Sequence, residues 1–174
     1  MDKKRRRSVS RRRMENSNLN LVATGCIIYA LDTKRYLFLL RNDAGKYGNT
    51  WGIAGGKVEN QERTVAGLQR EIIEEIGNID IKKIVPLETF VSDNEKFTFY
   101  TYLVTVEHEF LPTLNEEHEG YCWVYLHKYP RPLHPGVSRS FKFDRIVEKL
   151  ETIQKLSDVS FFNEVPNTNM TDVV

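Results

Sequence analysis

Apolar and polar positions follow two different rhythms along this chain, and together they outline a mixed fold. The β-rich runs LVATGCIIYA (21–30) and YLFLLR (36–41), joined by LDTKR, predict a hairpin turning near Asp32. RNDAGKYGNTWGIAGG is too glycine-rich for a regular element and reads as a loop with short extended pieces. A helical rhythm follows from about Thr64 to Ile76, with Gly77 as its natural stop. A second strand pair is predicted over 84–93 (IVPLETFVSD) and 96–106 (KFTFYTYLVTV). In the latter, Phe97, Phe99, Thr101 and Leu103 alternate with Thr98, Tyr100, Tyr102 and Val104, the pattern of a half-buried or ligand-lining strand. HEFLPTLNEEHEG reads as a polar loop, YCWVYL (121–126) as a short strand and RPLHPG as a Pro/Gly turn. Residues 138–156 read as one closing amphipathic helix, with Phe141, Ile146, Leu150 and Ile153 at near-helical spacing.

A chain of 174 residues accommodates one domain with a substantial core. No apolar run approaches the ~18 residues of a membrane span, so no membrane partner is expected. Cys26 and Cys122 sit in apolar runs without paired spacing and read as buried thiols, not as a disulfide or a zinc site. The net charge of +1 conceals an uneven distribution: residues 1–13 carry +7 and the remainder −6. The basic stretch has almost nothing apolar to bury, so residues 1–18 are expected to form a disordered arm, with the domain over 19–160 and a flexible tail over 161–174. The arm is compatible with a nuclear signal, a weak nucleic-acid contact, or a leader ahead of a start at Met14. Ser8 and Ser10, between arginines, are candidate phosphorylation sites.

The unusual chemistry lies in GGKVENQERTVAGLQREIIEEIGN, residues 55–78, where five glutamates fall within positions 59–75. On a wheel of about 100° per residue with Glu71 at zero, Glu74 falls at about −60° and Glu75 at about +40°. Val65, Leu68, Ile72 and Ile76 occupy the adjoining arc from about 60° to 140°. The helix therefore has an apolar face beside an acidic edge. Like charges at these spacings repel by a few tenths of a kcal/mol per pair, and no lysine intervenes between Lys57 and Lys82. Arg70 is placed to orient a carboxylate. A hard divalent cation would relieve the repulsion, and Mg²⁺ characteristically combines one or two carboxylates with substrate phosphates. Gly55 and Gly56 would let backbone groups approach that ligand. An acidic, solvated helix face and a glycosidase-type carboxylate pair are the alternatives.

These residues resemble the signature of the Nudix hydrolase superfamily. The matching positions are Gly56, Glu62, Arg70, Glu71, Ile72, Glu74, Glu75 and Gly77; Asn78 replaces the final aliphatic residue, a role Ile79 could fill. Arg41 and Trp51 also stand where many members have such residues, and Ala54 stands where many have proline. The resemblance implies an α/β Nudix fold, with a mixed sheet sandwiched between helices. It also implies a Mg²⁺- or Mn²⁺-dependent pyrophosphohydrolase acting on a nucleoside diphosphate linked to another group. It assigns Glu71, Glu74, Glu75 and the Gly55 carbonyl to the metal, and gives Arg70 and Glu62 the task of positioning the glutamates. Glu117, six residues before Trp123, matches a later glutamate that binds metal or acts as general base, with Glu116 and Glu119 as competitors.

Arg41, Gly56, Trp51, Tyr100 and Tyr102 complete the candidate substrate contacts, and Phe97 joins the two tyrosines as a residue that could stack on a base, with core packing the alternative for the aromatic residues. The four histidines lack metal spacing, and His118 draws notice only from its place beside Glu117. ADP-ribose or a dinucleoside polyphosphate is the favoured substrate. The alternatives are an oxidised nucleoside triphosphate, an RNA 5′ end or cap, and an inactive nucleotide-binding module on the same fold. A homodimer is compatible with the family, and a cytoplasmic location is expected, or a nuclear one if the arm is native.

Overall fold

β1 (Leu21–Ala30) runs through the middle of a mixed seven-stranded sheet and organises everything around it. The computed structural model describes residues 20–142 and 144–158; the expected arm and tail lie outside them. One edge of β1 pairs in parallel with β6 (Phe97–Val106) along its full length, from Leu21 opposite Phe97 to Ala30 opposite Val106. Two antiparallel partners divide the other edge. β4 (Ala54–Lys57) takes Ala23 to Cys26, and β2 (Arg35–Arg41) takes Ile28 to Ala30. β2 continues past β1 to pair with the short β3 (Trp51–Gly52), and it carries β7 (His118–Val124) on its far edge. β5 (Ile81–Val91) closes the sheet beside β6.

The unbroken apolar text of β1 has a physical reason: both of its faces are covered. Cys26, Ile28 and Ala30 pack with Leu68, Ile72 and Ile76 of helix α1 (Thr64–Ile76), whereas Ile27 and Tyr29 pack with Phe141, Ile146 and Leu150 on the other side. That second layer consists of two helices, α2 (Pro135–Lys142) and α3 (Asp144–Asp158), and not the single closing helix that the sequence predicts. Phase explains the division. Val137 and Phe141 share one face, as do Ile146, Leu150 and Ile153, but the five-residue step from 141 to 146 turns about 140° at about 100° per residue. A straight helix could not bury both sets.

Other boundaries shift modestly. β5 begins at Ile81 and β7 at His118, each three residues before the apolar runs suggest, and Pro135 starts α2 inside the expected turn. Val65, placed on the apolar arc by its angle, is 38% exposed in the first turn of α1. Cys26 and Cys122 are free thiols. Among the described residues, no helix is long and apolar enough to cross a membrane.

Candidate active site

The acidic edge of α1 meets the sheet at β4, and the burial of its carboxylates follows their angles on the wheel. Glu75, nearest the apolar arc, is 3% exposed; the side chains of Glu71 and Glu74, progressively further round, are 13% and 54% exposed. Glu75 Oε2 accepts the backbone N–H of Gly55 at 2.9 Å. Burial nevertheless pushes its carboxyl up to about 8, reinforced by Glu71 and Glu117 and opposed by the Gly55 N–H and Arg41. Glycine is required at both positions of β4. A Cβ on Gly56 would collide with the Glu71 carboxyl, and one on Gly55, at φ 150°, would strike the Thr24 carbonyl.

Arg70 holds the rest of the cluster. Its Nη1 donates to Glu71 Oε1 at 2.8 Å and to Glu74 Oε2 at 3.2 Å. Nε and Nη2 reach the two oxygens of Glu62, each at 3.2 Å, and Nη2 also reaches the Lys57 carbonyl at 2.8 Å. Glu62 Oε2 in turn accepts the Glu59 N–H. A guanidinium, then, offsets part of the like charge that the sequence assigns to an ion. Among the described residues, no three His, Cys, Asp or Glu side chains converge as a donor set. The donor chemistry still suits a hard cation: three glutamates on one helix edge, beside a glycine pair that leaves no side chain between the helix and the backbone of β4.

Glu117 approaches from the loop before β7, its Oε2 lying 3.7 Å from Arg41 Nη2. The loop is held on both sides: Asn42 N–H donates to the Glu117 carbonyl, and Asn115 N–H donates to the Glu75 carbonyl at 3.2 Å. Glu117 thereby comes within electrostatic influence of Glu75, whereas no contact joins Glu116 or Glu119 side chains to the helix cluster among the described residues. His118, next in sequence, is buried, and its imidazole is pushed down to about 4 by burial and by Arg41. Arg41 Nε is itself buried with no hydrogen-bond partner among the described residues.

A cleft of about 480 Å³ opens from this point across the α2 side of the sheet. Arg41, Gly55 and His118 contribute to its lining, and Phe90, Phe97 and Phe99 supply an apolar wall. Tyr47 and His134, edge to face with ring centroids 5.0 Å apart, also line it, as do Glu88, Arg139 and Ser140. Strand parity decides which aromatic residues reach the cleft. Tyr100 and Tyr102 face α1 instead: Tyr102 is 8% exposed and shares a 2.8 Å hydrogen bond with Thr64 Oγ1. Trp51 packs into the α2 and α3 layer, its backbone clamped to Pro132 and His134. None of these three lines the cleft, in contrast to the sequence expectation.

A family model described as NUDIX domain matches residues 19–145. The chain belongs to the Nudix family. Nudix proteins generally depend on divalent metal ions, in keeping with the donor set of α1, and the chain is a Nudix hydrolase by that membership. It is 30% identical over 112 residues to nucleoside triphosphatase NudI of Escherichia fergusonii, covering 57% of this chain and 78% of the relative. Among solved structures, the fold resembles a MutT Nudix hydrolase from Burkholderia pseudomallei (TM-score 0.55, 23% identity, 70% of this chain and 95% of that one). It also resembles the Nudix hydrolase RenU from M. smegmatis (TM-score 0.60, 18% identity, 78% of this chain and 88% of that one).

Phe90, Phe99 and the polar members Glu88, Arg139 and Ser140 are invisible to motif reading, because they come from β5, β6 and α2, outside the signature. The usable sequence signal was the alternation in β6, which separates Phe97 and Phe99 from Tyr100 and Tyr102 without saying which set faces a ligand.

Proposed function

We propose that this Nudix hydrolase cleaves a phosphoanhydride bond of a nucleoside 5′-triphosphate, the base lying in the aromatic cleft and the phosphates reaching back toward α1. One observation carries the reading: a single cleft is lined both by an apolar aromatic wall and by Arg41 and Gly55, and Gly55 is hydrogen-bonded to the carboxylate helix. About 480 Å³ lies within the ~300–1,000 Å³ of small-molecule sites and suits one nucleoside better than the two of a dinucleoside polyphosphate. Similarity to a protein named as a nucleoside triphosphatase supports the same choice over ADP-ribose.

Glu71, Glu74, Glu75 and the Gly55 carbonyl would hold Mg²⁺ or Mn²⁺, which when bound supplies Lewis-acid neutralisation of phosphate charge. Arg41, whose Nε has no hydrogen-bond partner among the described residues, binds phosphate oxygens. The bare backbone of Gly55 and Gly56 lets β1 and the Glu71 carboxyl approach β4 closely, which keeps the carboxylate helix against the strand. Arg70 fixes Glu71 and Glu74 in position. Glu117, carried on the loop anchored to Glu75 and Asn42, accepts the proton of the attacking water.

A hydrolysis screen with Mg²⁺ or Mn²⁺ tests the reading. It should span the nucleoside triphosphates, their oxidised forms, ADP-ribose, diadenosine polyphosphates and capped RNA, run beside Glu74→Gln. Turnover of a triphosphate that disappears in the variant is expected. Preferred turnover of ADP-ribose or of a dinucleotide would overturn the substrate assignment, and a folded protein inert toward every compound would favour a binding module.

A further inference from the structure

Glu88 stands out because a carboxylate belongs poorly in an aromatic cleft unless it has something to recognise. Its position results from an irregularity in β5. Pro86 pairs with Tyr102 and Glu88 with Thr101, so Leu87 is an extra residue opposite β6. Such a bulge re-aims the residues that follow it. Before it, Val85 and Leu87 point into the layer of α2 and α3; after it, Glu88 and Phe90 face that same side, and strict alternation would have sent Thr89 and Val91 there. Lys149 Nζ of α3 donates to the Leu87 carbonyl at 2.5 Å and secures the bulge.

The side chain is also fixed. Ser140 Oγ of α2 donates to Glu88 Oε2 at 3.0 Å, while Oε1 has no hydrogen-bond partner among the described residues. One residue before Ser140 on α2, the Arg139 guanidinium lies 5.3 Å from the centroid of the Phe90 ring. An anchored acceptor and a cationic donor thus flank an aromatic wall formed by Phe90, Phe97 and Phe99.

We propose that Glu88 selects the base, accepting hydrogen bonds from adjacent ring and exocyclic N–H groups of a guanine-type edge while Arg139 donates to the neighbouring carbonyl oxygen. The inference rests on the nucleotide reading above and narrows it. A carboxylate only accepts, so two neighbouring N–H donors match it, whereas the ring nitrogen on the corresponding edge of adenine is itself an acceptor and is repelled. Guanine offers O6 to an arginine as well. The aromatic rings bind any base by its face and contribute affinity without this choice.

Two measurements on the full chain test the proposal. In the first, kcat/KM for GTP and ATP is compared between the wild type and Glu88→Gln, with circular dichroism confirming the fold. The GTP-to-ATP ratio should fall by about tenfold or more, the discrimination typical of a bidentate base contact. An unchanged ratio, or equal loss toward both nucleotides as expected if Glu88 served the ribose, overturns the inference and leaves the hydrolase reading intact. In the second, GMP and AMP are titrated into the wild type, which needs neither turnover nor a folded variant. GMP binding about tenfold tighter supports the assignment even if triphosphates are not the substrate, and equal affinity defeats it.

Discussion

His118 shows how one side chain reports its surroundings. The ring is buried beside the Arg41 charge, and its imidazole is held down to about 4 from an ordinary 6.5, so it is neutral in the folded protein near neutral pH. In the unfolded chain it protonates near 6.5. The stability contributed by keeping it neutral is fully present above that value and lost as pH falls through about 4, a contribution of at most ~3 kcal/mol. Glu75 works in the opposite sense in metal-free protein: its raised carboxyl favours the fold below about 4.5 and loses that share as pH rises through about 8. Urea unfolding of wild type and His118→Gln at pH 7 and pH 4.5 separates the two, because only the histidine contribution differs between the proteins. The stability gap should shift toward the variant at pH 4.5; a gap independent of pH would mean that the ring is already solvated or paired.

The carboxylate helix is the element most fully readable from its own letters, because its acidic and apolar arcs are local and their angles set the burial order of Glu75, Glu71 and Glu74. Which partner satisfies the acids was harder to foresee. A fork with several N–H donors in fixed geometry can serve Glu62, Glu71 and Glu74 at once, and that role depends on Lys57 and Glu62 folding back across the helix. Replacing the guanidinium should therefore affect all three acids. Arg70→Met is expected to lower stability by about 1–3 kcal/mol and to reduce turnover by about tenfold or more through misplacement of the glutamates. Urea midpoints and initial rates measure both; a stable variant with normal rates would show that the acids hold their positions without it. Strand residues were less legible. Tyr100 against Phe99, or Thr89 against Glu88, is decided by the neighbouring strand and the covering helix, and nothing in the strand's own letters encodes that choice.

Across the whole molecule, the carboxylate helix and the aromatic cleft occupy opposite faces of one sheet and meet where β1 and β4 run as glycine-rich backbone. This arrangement separates binding of the base from work on the phosphates. Gly25 provides the test: a Cβ there would stand 2.8 Å from Phe99 Cζ and 3.2 Å from the Ala54 carbonyl, so the ring must move into the cleft. Gly25→Ala should raise KM by about tenfold, the effect of a lost stacking contact, with kcat largely retained. Steady-state kinetics decide the point, and a fall in kcat at constant KM would place the disturbance at the phosphate end. The layered arrangement of sheet and helices followed from hydrophobic rhythm, but the path from one face to the other depends on space left by absent side chains, which periodicity does not report.

The extra residue in β5 has a consequence for how such a strand could diversify. Removing Leu87 would restore plain alternation along the strand, with Glu88 taking the inward position after Val85 and with Glu88 and Phe90 keeping their partners Thr101 and Phe99. The carboxylate would stay in the cleft, and what would be lost is an apolar side chain packed in the layer of α2 and α3. In this sheet, a one-codon deletion would change the length and core packing of β5 while keeping the cleft acid, and comparisons of relatives position by position would misalign the residue that matters.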